Sequence, residues 1–197
     1  YLAVAFDVHA PTFRHQMYQA YKGTRKPMPE ELRQQVPVMK EVLKAMHITI
    51  MEQAGLEADD ILGTLAKKAE QEGMEVSLVS GDRDLLQIAT DKIKIRIPKT
   101  KGARTEIEDE YAKDVEEKYH VNPQQFIELK ALMGDTADNI PGVPGIGEKT
   151  AGKIIAAYHS IEEAHEHIAE IKPKKAMENL SEYYEQALMS KLLATIK

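Results

Sequence analysis

Eight carboxylates stand at positions where they could do chemistry together. Asp7 follows the apolar run Leu2-Ala-Val-Ala-Phe6, and Asp82 and Asp84 follow the apolar stretch 75–80. Glu57, Asp59 and Asp60 open an amphipathic segment, and Asp135 and Asp138 are spaced i, i+3, so they would share a face if that turn is helical. Taken singly, each group has an ordinary explanation. Acids in a first helical turn are favoured by the macrodipole, and Gly-Asp-Arg-Asp suits a turn with a helix cap. Brought together, eight carboxylates would repel one another unless cations neutralised them. Oxygen donors with no cysteine or histidine among them favour Mg²⁺ or Mn²⁺ over Zn²⁺. Two such ions about 3.5–4 Å apart suit phosphodiester hydrolysis, one activating water and the other stabilising the leaving oxygen. That chemistry needs no protein nucleophile, and none is evident.

Beside the last acidic pair lies a turn, Gly142-Val143-Pro144-Gly145-Ile146-Gly147, leading into the helical run that begins Glu148-Lys149-Thr150. Its glycines let the backbone take positive φ and point several N–H groups into one concavity at a helix N-terminus, which is a seat for phosphate. The stretch nearly spells a nucleotide-binding P-loop, but Glu148 stands between Gly147 and Lys149. That puts the lysine out of step and a negative charge where phosphates should lie. A plain Gly/Pro connection between two helices is the bland alternative.

Arg14, Tyr18, Lys22 and Arg25 fall at i, i+4, i+8 and i+11, so a helix running from Thr12 to about Gly23 and beyond would present them on one face, with Tyr21 adjacent. Cations there could hold a scissile phosphate and a tyrosine could stack on an unpaired base; a solvated face with packed tyrosines is the ordinary reading. The seven histidines show no metal-ligand spacing.

Elements must position these groups, and hydrophobic periodicity supplies them. Strands are expected at 2–6, 48–51, 75–80 and 92–97, and helices at 12–23, 30–47, 57–72 and 84–89, with Pro37 kinking or splitting the second. This alternation predicts an α/β fold with a mainly parallel sheet flanked by helices. After about residue 108 the strands stop, and helices are expected at 109–119, 123–133, 148–158, 160–170 and 174–195. The chain therefore divides into an α/β core, 1–108, and a helical lobe, 109–197.

With 197 residues and 43% hydrophobic composition, the chain can bury one good core with a smaller lobe. No stretch of eighteen apolar residues is present to span a membrane. The absence of cysteine excludes disulfides and thiolate metal sites. A net charge of −6 argues at first sight against a nucleic-acid partner. Neutralising the eight carboxylates would reverse that balance, so the local distribution matters more than the total.

Phe6-Asp7, Phe13-Arg-His15, Tyr21-Lys22 with Arg25, Glu57-Ala-Asp-Asp60, Ser80-Gly-Asp-Arg-Asp84 and Met133 to Ala151 together resemble the 5′→3′ exonuclease domain of the bacterial DNA polymerase I family, a branch of the flap endonucleases. The resemblance runs end to end. It implies a PIN-like nuclease core with an arch at about 18–40 and a helix-three-turn-helix, akin to a helix-hairpin-helix, gripping duplex DNA. It implies a metal cluster, Mg²⁺ or Mn²⁺, at Asp7, Glu57, Asp59, Asp60, Asp82, Asp84, Asp135 and Asp138. Lys22 and Arg25, the catalytic candidates, match the family's phosphate-contacting arch residues and Tyr21 its stacking position; Arg14 joins Tyr21 as a DNA-binding candidate from the basic stripe. Gly142, Val143, Gly145, Ile146, Gly147, Lys149 and Thr150 would seat a duplex phosphate, with K⁺ on the hairpin carbonyls in some members.

The implied activity is hydrolysis of DNA at 5′ flaps, nicks or free 5′ ends by a monomeric, cytoplasmic bacterial protein, with a polymerase domain as a partner in the same polypeptide. Family members begin with a central strand ending in Asp-Gly, which supplies another ligand; this sequence opens on Tyr1, beyond the point where that strand would fall. The alternative is therefore a catalytically impaired duplex-binding module. A PIN-type ribonuclease is a third reading, but it would need the carboxylates and not the glycine turn.

Overall fold

Two parallel strand pairs carry the first half of the chain. In the computed structural model, which describes residues 1–102 and 104–197, β1 (Ala3–Ala5) pairs with β2 (Thr49–Met51), Ala3 opposite Thr49 and Ala5 opposite Met51. β3 (Val76–Val79) pairs in parallel with β4 (Ile93–Lys101), Val76 opposite Ile93. β5 (Arg104–Glu110) then returns antiparallel along β4. The described strands thus form a two-stranded and a three-stranded sheet.

β5 is a departure from the expected pattern. Its sequence, Arg-Thr-Glu-Ile-Glu-Asp-Glu, lacks the alternation of a half-buried strand, and most of it is exposed. It is held by the ladder and by charge across it: Asp109 pairs with Lys94 at 3.1 Å and Arg96 at 2.8 Å, and Glu108 pairs with Lys99. Opposite charges facing one another across strands stabilise pairing without burial, so periodicity could not reveal it.

The helices are α1 (Phe13–Met17), α2 (Glu30–Ala45), α3 (Ala58–Gln71), α4 (Ala112–Tyr119), α5 (Pro123–Met133), α6 (Glu148–Tyr158), α7 (Ile161–Glu166), α8 (Lys174–Glu182) and α9 (Tyr184–Ala194). 3₁₀ turns lie at Arg83–Ile88 and Ile168–Glu170. The helix expected over 174–195 is broken at Tyr183, and that over 160–170 ends in the second 3₁₀ turn. α2 runs through Pro37 and buries none of its residues.

The helix expected from Thr12 to Gly23 stops at Met17. Lys22 takes a left-handed φ of 53°. Its N–H donates to the carbonyl of Asp138 at 2.8 Å, and Asn139 donates from Nδ2 to the carbonyl of Ala20 at 2.6 Å. Docking on the 135–140 turn overrides local helical preference. Arg14, Tyr18, Lys22 and Arg25 therefore share no helical face.

One core runs through both halves of the chain. Leu85 and Leu86 of the first 3₁₀ turn, Ile93 and Ile95 of β4, Leu129 and Leu132 of α5, Ile155 and Leu180 are all fully buried in it. Each such side chain contributes about 1.5–3 kcal/mol by leaving water. α5 packs against the first 3₁₀ turn, α6 and α9. It thereby carries the turn after its C-terminus to the edge where β1 and β3 end.

Candidate active site

Asp7 lies just past β1 and accepts the N–H of Ala58 at 2.7 Å, tying the strand end to the start of α3. Past β3, Ser80 Oγ accepts the N–H of Asp82 at 3.0 Å, and Asp82 accepts that of Asp84 at 2.9 Å, which folds Gly-Asp-Arg-Asp into a turn. Asp135 accepts the N–H of Ala137 at 2.7 Å and exchanges both backbone hydrogen bonds with Ile140, at 2.9 and 2.8 Å. This closed turn is not helical.

Asp59 faces Asp82, Asp7 and Asp84. Burial first, and then those three carboxylates, push its carboxyl up to about 7. Burial likewise pushes Asp84 up to about 6, with Asp82 and Asp135 adding to the rise and Lys130 opposing it. Carboxyls that hold protons near neutrality are short of cations. The ammonium of Lys130 lies 2.7 Å from Asp84 Oδ1 and also pairs with Asp135, so it joins the 82–84 turn to the 135–138 turn. Burial alone would raise the Asp135 carboxyl, but Lys130 and the N–H groups of Ala137 and Asp138 hold it below its ordinary value.

A second group converges on Glu57 and Asp138. Lys22 Nζ is 2.7 Å from Glu57 Oε1 and 3.8 Å from Asp138 Oδ2, and Arg25 pairs with Asp138 Oδ1. Tyr21 is buried, and its hydroxyl lies 2.9 Å from Asp138 Oδ2 and 3.1 Å from Glu57 Oε2. Burial and these two carboxylates push the phenol well above its ordinary value, so it stays a hydrogen-bond donor. With its ring covered, Tyr21 is not placed to stack on a base as expected from sequence.

Arg14 and Asp60 are also placed differently from expectation. The guanidinium donates from Nη1 and Nη2 to the two carboxylate oxygens of Asp60, both at 2.8 Å, with Arg14 3% and Asp60 0% exposed. Asp60 accepts further N–H bonds from Glu57 at 3.0 Å and Lys197 at 3.0 Å. Burial would raise its carboxyl, but these donors outweigh it and hold the group below the ordinary value. Arg14 also donates to the carbonyls of Leu193 at 2.9 Å and Thr195 at 2.7 Å. Both side chains are saturated by partners inside the protein. Arg14 instead steadies Glu57, whose Oε2 lies 3.3 Å from Nη1.

The glycine turn is clamped from behind. Gly142 donates to Ser190 Oγ at 3.2 Å and accepts from Gln186 at 2.7 Å, both on α9, and Asn179 of α8 donates to the carbonyl of Pro144 at 2.6 Å. Val143 and Ile146 are buried, anchoring the turn to the core, while Pro144, Gly145 and Gly147 are exposed. Among the described residues, the N–H groups of Gly145, Gly147, Glu148 and Lys149 meet no acceptor in the chain. Thr150 donates its N–H to the carbonyl of Gly147 at 3.0 Å in the first turn of α6.

A cleft of about 860 Å³ opens between these groups and α2, lined by Asp7, Lys22, Arg25, Arg33, Lys40 and Glu57. Among the described residues, no three Asp, Glu or His side chains converge on one point as they stand. The donor set nevertheless fits a hard divalent ion: its donors are all oxygens, and Asp59 is half-buried and surrounded by like charge. Lys130 is the residue that sequence reasoning missed. A lone lysine inside the apolar run Leu129-Lys-Ala-Leu-Met133 was the available signal.

An α/β half with carboxylates at its strand ends is thus joined to a helical lobe that carries a turn with free backbone N–H groups. The chain belongs to the 5′-3′ exonuclease family: its residues 1–120 match the N-terminal resolvase-like domain of that family, and residues 121–197 match the C-terminal SAM fold. It is similar to DNA polymerase I of Bacillus subtilis (strain 168), 50% identical over 196 residues, covering 100% of this chain and 22% of that protein. The chain thus spans about a fifth of the length of the curated relatives it matches.

Among solved structures, the T5 D15 protein co-crystallised with metal ions matches with a TM-score of 0.79 and 27% identity, covering 98% of this chain and 73% of that one. The T5 D15 flap endonuclease in a pseudo-enzyme–product complex with DNA and metal ions matches equally well, at TM-score 0.79, 27% identity, 98% and 72%. The catalytic core of Rad2 has the same fold, with a TM-score of 0.61 at 16% identity over 96% of this chain and 64% of that one. No helix among the described residues is long and apolar enough to cross a membrane.

Proposed function

We propose that the protein hydrolyses DNA phosphodiesters at 5′ flaps, nicks or free 5′ ends, in a bacterial cytoplasm and as part of a polypeptide that also carries a polymerase. The observation that carries this reading is the gathering of acids from both halves, Asp59, Asp82, Asp84 and Asp135, close enough to repel one another though not converged on one point, in surroundings that push Asp59 up to about 7 and Asp84 up to about 6. Such a cluster calls for divalent cations, and Mg²⁺ or Mn²⁺ suits an all-oxygen donor set. Asp7, Asp59, Asp82, Asp84 and Asp135 would hold them, with Glu57 and Asp138 at the margin. When bound, the ions would activate water and neutralise the leaving oxygen.

The chain's own residues do the rest. Lys22 and Arg25, at the mouth of the cleft, exchange their carboxylate partners for the scissile phosphate and orient it. Tyr21 and Arg14 keep Glu57 and Asp138 in place. The free N–H groups at Gly145, Gly147, Glu148 and Lys149 receive a duplex phosphate away from the cut, and the carbonyls of the same turn offer a place for K⁺. The protein acts as a monomer.

One observation favours a second reading, duplex binding without cleavage. Lys22, Arg25 and Lys130 already neutralise Glu57, Asp138, Asp84 and Asp135. Single-turnover cleavage of a 5′-labelled flap duplex with Mg²⁺, alongside binding of the same duplex in Ca²⁺, separates the two. Metal-dependent cutting at the junction supports the nuclease. Tight binding with no cutting supports the clamp.

A further inference from the structure

The helical lobe has no arginine, and its lysines divide sharply by environment. Lys130 is held by Asp84 and Asp135, Lys191 lies 2.6 Å from Glu128 and 2.7 Å from Glu162, and Lys174 is 3.5 Å from Glu178. Lys197 sits over the ring of Phe13, 4.0 Å from its centroid. Among the described residues, Lys113, Lys149, Lys153, Lys172 and Lys175 have no carboxylate within 4.0 Å, and all five are exposed; Lys113 stands apart on α4, which leaves four.

These four lysines flank one feature. Lys149 and Lys153 are spaced i, i+4 on α6, the helix that the glycine turn opens, and so share a face. Lys175 is spaced i, i+4 from Asn179 on α8. Asn179 touches the turn itself, donating to the carbonyl of Pro144 at 2.6 Å, and a Cβ added at Gly145 would lie 3.2 Å from its Nδ2. Lys175 therefore stands one helical turn from the tip of the turn, with Lys172 just before the start of the same helix. In a chain of net charge −6, four exposed ammonium groups with no carboxylate within 4.0 Å lie on or beside the elements that carry one exposed backbone seat, and they outnumber the carboxylate of Glu148 that opens α6. A polyanion would offset their charge.

We propose that Lys172 and Lys175 on one side of the glycine turn, and Lys153 with Lys149 on the other, form a lysine saddle that contacts further phosphates of the DNA duplex seated on the turn. This rests on the duplex-binding reading above and extends it from the turn to α8. The contacts are to phosphates, so they supply affinity and register and carry no sequence preference.

Counterion release gives the test a number. Each phosphate neutralised contributes about 0.9 to the slope of log K against log salt concentration. Affinity of the protein for a 5′-flap duplex is measured in Ca²⁺ across a KCl series. The double variant Lys172→Gln with Lys175→Gln should bind several-fold more weakly at low salt, with a slope shallower by about 1.8. Lys68→Gln, an exposed lysine on α3, should leave the slope unchanged. An unchanged slope in the double variant, while Gly145→Val weakens binding, would overturn the saddle and leave the seat standing. If neither substitution alters binding, both the saddle and the duplex-binding reading fall.

Discussion

Lys130 places its ammonium 2.7 Å from Asp84 and against Asp135 as well, so one buried cation bridges the acidic turns of the two halves. Removing it while the acids stay would leave like charges facing one another at a largely buried site. Breaking such a pair costs about 3–5 kcal/mol where burial is complete and less here, since a few water-facing atoms remain. Lys130→Met is expected to lower stability by about 2–3 kcal/mol in EDTA. Mg²⁺ should recover much of that loss by taking over the neutralising role. Urea unfolding with EDTA and with Mg²⁺ checks this; equal loss in both would mean that no ion reaches Asp84 and Asp135.

Arg14 and Asp60 make a buried bidentate pair, with the backbone of residues 193–197 as additional partner. Arg14→Leu should therefore destabilise by about 3–5 kcal/mol, because it strands a fully buried carboxylate. Asp60→Asn should cost less and leave the Mg²⁺ dependence of cleavage where it was, whereas Asp84→Asn should shift it. A Mg²⁺ requirement altered by Asp60→Asn as strongly as by Asp84→Asn would return Asp60 to the ligand set.

Parts of the α/β half were legible because apolar spacing reports burial, and α3, with Ile61 and Ala66 on its covered face, shows it plainly. β5 was not, because its partners are ionic and lie on β4. The acidic clusters were legible by their places after β1 and β3 and at the start of α3. What their side chains do depends on neighbours remote in sequence. Asp59 and Asp60 are adjacent, yet one faces three carboxylates and the other an arginine. The turn at 18–25 was misread as helix because its geometry is set by Asp138 and Asn139, which no local pattern contains.

Tyr21 donates to a carboxylate from a buried ring, so its loss should be felt in stability before DNA binding. Tyr21→Phe keeps the ring and removes the hydroxyl that Asp138 and Glu57 share. Expected is a loss of about 1.5–3 kcal/mol, the range for a hydrogen bond to a charged group, with flap-duplex affinity in Ca²⁺ unchanged. A Phe variant of full stability and weakened affinity for a single-stranded flap would place the residue at the DNA after all.

Asp59, pushed up to about 7 by burial and by Asp82, Asp7 and Asp84, ties metal binding to pH. A raised folded-state value means that the native protein holds this proton more tightly than the unfolded chain does. In metal-free protein the resulting penalty is absent below the ordinary carboxylate range, near 3.8, and complete above about 7. An ion must displace the proton, so Mg²⁺ affinity should fall as pH drops below about 7, and binding near pH 6 should release a proton. Calorimetry in buffers of different ionisation enthalpy measures that release. Affinity flat from pH 8 to 5.5 would show that Asp59 is no ligand.

Gly142 and Gly145 belong to one turn, yet they should fail differently when substituted. Both have positive φ, at 60° and 75°. A Cβ at Gly142 would lie 2.3 Å from the backbone nitrogen of Gly134, whose own φ is 75° and whose Cβ would meet the carbonyl of Ile140 at 2.7 Å. Two backbone segments cross there and neither can retreat. Gly142→Ala should combine left-handed strain with overpacking, about 3 kcal/mol or more, and lose duplex binding because the turn itself opens. At Gly145 the nearest atom is the Asn179 amide at 3.2 Å, the end of a side chain that can swing away. Gly145→Ala should cost only about 1–2 kcal/mol. It should still weaken duplex binding, since its Cβ disturbs the exposed tip and the N–H beside it. Urea unfolding and duplex binding on the two variants separate the roles, and a Gly145→Ala protein that binds normally would move the phosphate seat off the tip.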